Sequence, residues 1–307
     1  MKRVVWGFVS LGVAGGIAAA LWVWTGVRDS EPAPPANLAS AMDQSLGEAP
    51  CVAERVGRGE PPPVAQRLPV VPLVVQAITE EGDYGGDWRV AVPGRWDASL
   101  LYRTIGYENL VRWTPEWTHV VPNVVQSYSV SPDHSAFTFR LRRGMRWSDG
   151  APFTADDILF WYEDVVGCPE LCAVPPAWLV SAGRPARVEK LDDYTVRFSL
   201  AQPDYVFLQR LARPAATDVV SFPRHYLSKF HVRYNSDGLA EQMQAAGVAT
   251  WPELFRLKGG AAGSPELPSR WRNPELPTLN AWVLTAAPAA GDGEVVAVRN
   301  PYYWKIE

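Results

Sequence analysis

Two neighbouring aspartates, Asp156 and Asp157, sit inside the run TFRLRRGMRWSDGAPFTADDILFWYEDV, residues 138–165. Paired carboxylates do acid–base chemistry when they converge on one substrate atom, whereas neighbours on a helix diverge by about 100°. The T-x-x-D spacing from Thr154 to Asp157 has instead the form of a capping box, and acids in a first turn suit the helix dipole. The arginines just upstream suggest a grip on nucleic acid. In FTFRLR, however, Phe137, Phe139 and Leu141 point one way while Thr138, Arg140 and Arg142 point the other, so the arginines read as the solvated face of a half-buried strand. A net charge of −4 gives no general attraction to DNA or RNA.

Cysteine and histidine offer little more chemistry. Cys168 and Cys172, in CPELC, are placed to close a small disulfide in an oxidising compartment, with two free thiols as the alternative. Zinc would need two further ligands nearby, and His119, His134, His225 and His231 are scattered without metal spacing. Cys51 reads as an unpaired linker cysteine. The chain holds no G-x-S-x-G, no H-E-x-x-H and no convergent acid pair, so the expectation is a protein that is not an enzyme, with no catalytic residue, no metal and no cofactor.

The elements that must position any site begin far from the N-terminus. Lys2 and Arg3 precede residues 4–27, an apolar run without a charge. At about 1.5 Å per residue such a run can cross a bilayer of roughly 30 Å. Its flanking charges favour an N-in orientation, so residues 1–27 read as a signal anchor or signal peptide and the remainder as exported. Residues 28–80 are Pro-rich and small, which describes an extended tether. Residues 81–307 form the folded part. With 307 residues, 47% of them hydrophobic and 20% charged, the chain is globular in character and long enough for more than one lobe. Tryptophan is the unusual component, at 14.

Along that folded part, DWRVAV (87–92) predicts a strand and Asp97 caps a helix carrying Leu100, Leu101, Thr104 and Ile105. SYSVS and FTFRLR are strands joined by the turn SPDHS, and Gly150 supplies the left-handed position of a second turn. A helix opened by Thr154 buries Ile158, Trp161, Tyr162, Val165 and Val166. Residues 188–200 read as a turn and strand, FPRHYL and WPELFRL as short helices, and TLNAWVLTAA and EVVAVRN as strands. The class is α/β or α+β with mixed sheets.

The stretch VPNVVQSYSVSPDHSAFTFRLRRGMRWSDGAPFTADDILFWYEDV resembles the signature of the family 5 extracellular solute-binding proteins. Pro122, Asp133, Phe139, Leu141, Arg142, Gly144, Asp149, Gly150, Pro152, Thr154, Ala155 and Asp157 stand at its pattern positions. YENLV at 107–111, LDDYTVRFSL and the terminal RNPYYWK match further family stretches in the expected order, so the likeness covers about residues 88–307. Val125-Gln126 and His134 depart from the pattern and put only local geometry in question.

That resemblance implies a two-lobed fold of the type II periplasmic-binding-protein kind, hinged around its ligand, with only lobe I and its helper subdomain (about 109–187) present and the second lobe missing. It implies a receptor of an ABC importer. Such a receptor captures peptides or similar small solutes outside the cytoplasmic membrane and passes them, as a monomer, to a membrane permease. An oligosaccharide receptor, a metal-chelate receptor or a non-transport sensor on the same fold are the alternatives. Within it, Arg95, Trp96, Tyr102, Asn280 and Trp282 are the candidate ligand-binding residues. Arg95 is suited to a carboxylate and the aromatics to stacking. The chain stops at a stretch that lies mid-protein in the family, so a fragment of a longer protein is expected, in the periplasm or on the outer face of the membrane and anchored by residues 4–27.

Overall fold

The computed structural model describes residues 46–77, 80, 82–91, 101, 104–262, 270–287 and 293–307. The apolar run 4–27 lies outside them, as does most of the helix expected after Asp97. Residues 82–91 carry no ladder. Alternation in DWRVAV thus did not produce a strand: no partner edge reaches it among the described residues, and Trp88 is left 65% exposed.

Three short strands precede the main sheet: β1 (Leu73–Val74), β2 (Val111–Trp113) and β3 (Val120–Pro122). β2 and β3 form an antiparallel hairpin, with Trp117 near its tip in a left-handed backbone conformation. The main sheet is built from β4 (Val125–Val130), β5 (Ala136–Leu141), and, after two-residue strands β6 (Val180–Ser181) and β7 (Arg184–Pro185), from β8 (Arg187–Asp192) and β9 (Thr195–Ser199). Its order is β4-β5-β9-β8, antiparallel throughout.

Period-two alternation explains its buried face. Phe137 lies opposite Phe198, and Phe139 opposite Val196, all four fully or almost fully buried. The Phe139 and Phe198 rings meet edge to face at 5.5 Å, a favoured aromatic geometry. At the β4–β5 turn the Asp133 carboxylate accepts from the Ser131 and Ser135 hydroxyls at 2.5 and 2.7 Å, and His134 takes a positive φ. Those side-chain bonds hold the exposed Asp133 carboxyl down to about 2.

The expected capping box is present. Thr154 Oγ1 accepts from Asp156 N at 3.3 Å, and Asp157 Oδ2 accepts from Thr154 N at 2.9 Å, opening the helix Ala155–Leu159. The helix continues from Phe160 to Val166 with π geometry, an insertion that the sequence period does not register. Its Trp161 ring stacks on Trp178 at 5.8 Å. Short helices follow, among them Arg224–Leu227 and the Thr250-capped Trp251–Gly259. The chain then returns through an antiparallel pair, β10 (Trp282–Ala286) and β11 (Val296–Arg299), and ends in β12 (Lys305–Ile306), which pairs in parallel with β1. The main apolar cluster runs from Leu110 to Trp304, and a second, small one gathers Leu101 and Ile105 around Trp271.

One arginine departs from the expected solvated face. Arg140 is exposed, but Arg142 lies just beyond β5 and is buried, its Nε donating to Asn123 O at 3.0 Å and its Nη1 to Val71 O at 3.0 Å. Its guanidinium also covers the Trp304 ring at 5.6 Å. The strand period stops at Leu141, so alternation no longer governs Arg142.

Candidate ligand-binding site

The turn of residues 148–150 is the first support of the site. Gly150 holds φ +89, and Asp149 Oδ1 accepts from Ala151 N at 3.1 Å. On the other side Asp149 Oδ2 meets His225 Nε2 at 2.7 Å. Burial pushes the Asp149 carboxyl up, but the bonds from His225 and Ala151 together hold it below the usual range. Asp157, behind the turn, accepts from the backbone N–H groups of Thr154 and Arg224; burial nonetheless pushes its carboxyl up to about 6.

Ser148 connects this turn to the candidate residues. Its N–H donates to Thr278 O and its Oγ accepts from Thr278 N, both at 3.0 Å, across 130 residues of chain. Thr278 Oγ1 then accepts from Asn280 N at 3.1 Å. From the far side the buried Asn300 donates to Asn280 O at 2.8 Å, and its own N–H donates to Ala281 O at 2.7 Å. Trp304 Nε1 donates to Leu279 O at 3.2 Å. The segment is thus fixed by its backbone, which leaves its side chains available.

Those side chains open onto a cavity of about 30 Å³ whose lining includes Arg270, Trp271, Asn273, Leu276, Asn280 and Trp282. Trp282, the first residue of β10, is 41% exposed. Neither its indole nor the Asn280 amide has a hydrogen-bond partner among the described residues. Trp271 is buried, and its indole N–H also lacks a partner. Arg270 is engaged: Nη1 reaches Asp218 Oδ1 at 3.2 Å, and Nε and Nη2 reach Gly259 O at 3.4 Å each.

Of the five residues expected to bind ligand, the structure brings Asn280 and Trp282 together, while Arg95, Trp96 and Tyr102 lie outside the described residues. Arg270 and Trp271 were missed. Their sequence signal, SRWRNP between two Pro-containing connectors, has no periodicity to mark it as part of a site. The cysteines differ from the disulfide expectation: Cys168 Sγ donates to Glu170 and Cys172 Sγ to Val174 O, each at 3.2 Å, and neither sulfur joins the other. Among the described residues no group of three or more His, Cys, Asp or Glu side chains is arranged to hold a metal ion.

Residues 119–307 match the sequence profile of the bacterial extracellular solute-binding proteins, family 5 Middle. The chain belongs to this family. The periplasmic α-galactoside-binding protein of Rhizobium meliloti (strain 1021) is 31% identical over 271 residues, 82% of this chain and 35% of that protein. Di/tripeptide-binding protein 1 of Pseudomonas aeruginosa (strain UCBPP-PA14) is 29% identical, over 48% of this chain and 29% of that one. Among solved structures, the oligopeptide-binding protein OppA superposes with a TM-score of 0.73 at 34% identity, covering 87% of this chain and 40% of its own. A periplasmic binding protein of Agrobacterium fabrum C58 in complex with stachyose gives 0.56 at 25% identity, over 85% of this chain and 38% of that one. The chain therefore spans about a third of the length of the curated relatives it matches. The mixed α/β class and the family 5 fold stand as expected, and the family is one of solute-binding proteins.

Proposed function

We propose that this chain is the part of an ABC-importer receptor that carries one wall of the solute site. The receptor captures small solutes outside the cytoplasmic membrane and hands them to a permease, working as a monomer and not as an enzyme. Residues 4–27 anchor it, with 81–307 as the binding domain and about 109–187 as its helper subdomain. Residues 28–80 were expected as an extended tether, but Pro50–Gly57 and Val64–Arg67 are helical and Leu73–Val74 pairs with Lys305–Ile306, so that part of the segment packs with the domain. The TM-score of 0.73 with an oligopeptide-binding protein, over 87% of this chain, carries this reading. Relatives named for di/tripeptides and for α-galactosides favour peptides and oligosaccharides as the two ligand classes. Among the described residues no helix is long and apolar enough to cross a membrane, so the anchor rests on the sequence run alone.

The test is thermal unfolding in the presence of peptide pools and of oligosaccharide pools. A ligand at 100 times its dissociation constant adds about 2.7 kcal/mol to stability. For a domain of this size that raises Tm by roughly 5–10 °C. A rise with either pool is expected, and an unchanged Tm with both overturns the receptor reading.

A further inference from the structure

Resting on the receptor reading, we infer that His225 is a positioning residue of the solute site. Through His225, Asp149 holds one end of segment 273–278, and Ser148 holds the other end directly. That segment carries Asn273, Leu276, Pro277 and Thr278 of the cavity lining. Two adjacent residues of the signature turn thus clamp one wall at both ends. The direct arm is the pair of 3.0 Å bonds between Ser148 and Thr278. The other arm passes through the helix Arg224–Leu227. A carboxylate only accepts, so His225 Nε2 carries the proton and donates to Asp149 Oδ2 at 2.7 Å. The next residue, Tyr226, is buried; its hydroxyl accepts from Asn273 Nδ2 at 3.0 Å and donates to Glu275 Oε2 at 3.3 Å.

Successive helix residues point about 100° apart, which lets His225 reach the turn while Tyr226 reaches the wall. The helix between them cannot slip. At its start Arg224 N donates to Asp157 Oδ1 at 3.0 Å. At its end Leu227 is fully buried against Gly259, where a Cβ would stand 2.6 Å from Leu227 Cδ2. Asn273 is held in turn, its Nδ2 donating to Lys258 O at 2.7 Å and its Oδ1 accepting from Glu275 N at 3.1 Å. The contacts therefore close a ring, from Asp149 through His225, Tyr226 and Asn273 to Thr278 and back to Ser148. A wall held at both ends is preformed, so the cost of ordering it does not fall on solute binding. With His225 removed, the wall is held from the turn at Thr278 alone. The His225 side chain is 34% exposed, so its loss opens no closed cavity in the core.

The experiment is hydrogen exchange on the full chain without ligand, comparing wild type with His225→Ala, His225→Gln and Tyr226→Phe. His225→Ala is expected to speed exchange about tenfold at the amides of Glu275, Leu276 and Thr278 while β5 and β9 keep wild-type rates. Glutamine restores an Nε2 donor, so His225→Gln is expected to keep wild-type rates throughout. Tyr226→Phe breaks the next link and is expected to free the same amides. Unchanged rates at 275–278 in either His225→Ala or Tyr226→Phe overturn the inference, as does a rise shared by β5 and β9 in both. A glutamine variant that behaves like the alanine one also overturns it. The second reading is the Tm rise given by the peptide or oligosaccharide pool that stabilises wild type. It is expected to shrink in His225→Ala and to return in His225→Gln; a rise of wild-type size in His225→Ala overturns the role of His225 in the site. No rise with either pool in wild type overturns the receptor reading, and the exchange rates still decide whether the clamp exists.

Discussion

Adding one methyl group at Gly150 tests how the signature turn supports the site. Its φ of +89 is a conformation that costs an L residue about 1–2 kcal/mol. The new Cβ would also stand 2.9 Å from Tyr302 Oη and 3.0 Å from Cζ, so the ring must swing off its position. An off-rotamer ring adds about 0.5–1.5 kcal/mol. Gly150→Ala is therefore expected to destabilise by roughly 1.5–3.5 kcal/mol. Gly183 supplies the control, because its φ is +73 but nothing lies within 4 Å of its would-be Cβ. Gly183→Ala should lose only the backbone part, about 1–2 kcal/mol. Ser148 exchanges both its bonds with Thr278, so a displaced turn moves the segment that bears Asn280 and Trp282. Gly150→Ala should then weaken ligand binding and Gly183→Ala should not. Urea denaturation at constant m-value gives the stabilities, and a ligand titration gives the affinities. Equal losses of stability from the two variants, with equal affinities, would refute the mechanical link between the turn and the site.

Three further outcomes follow from other parts of the fold. Thr154→Ala should cost about 1 kcal/mol through the lost cap and leave ligand affinity unchanged, measured by denaturation and titration; abolished binding at wild-type stability overturns its structural role. Burial lifts the Asp157 carboxyl from 3.8 to about 6, so its contribution to stability is fully present below pH 3.8 and is lost as pH rises through 6, about 3 kcal/mol in all. The stability difference between wild type and Asp157→Asn should change by about 2.4 kcal/mol between pH 4 and pH 7, and a flat difference contradicts it. Lys305 Nζ sits 2.8 and 2.9 Å from the two Glu108 oxygens, both side chains being nearly buried. Lys305→Met should therefore cost about 3–5 kcal/mol, most of it recovered by adding Glu108→Gln, and denaturation of the single and double variants shows whether the pair behaves so.

Local patterns made much of this fold readable. Phe137, Phe139, Val196 and Phe198 announce their strands because each strand has one buried face, and Thr154 announces its helix because the capping residues are adjacent in sequence. Arg142 was misread because the alternation that exposes Arg140 ends one residue before it, where the backbone turns the guanidinium inward onto Trp304. The strand expected at 87–92 failed for want of a partner, which no local pattern encodes. Asn280 and Trp282 were singled out through the family likeness, and the fold sets them on one cavity. Arg270 joins them through contacts with Asp218 and Gly259 that are distant in sequence, and Trp271 follows it, so their place beside the cavity appears once the chain is folded.

Hydrogen exchange read by mass spectrometry, with and without saturating ligand from the pool that raises Tm, tests the central claim most directly. Slower exchange is predicted across residues 277–286, where the amides of Asn280 and Trp282 lie, while the β4–β5 hairpin around Asp133 keeps its free-state rates. Protection confined to other segments, with residues 277–286 unchanged, would contradict the assignment of this segment as a wall of the solute site.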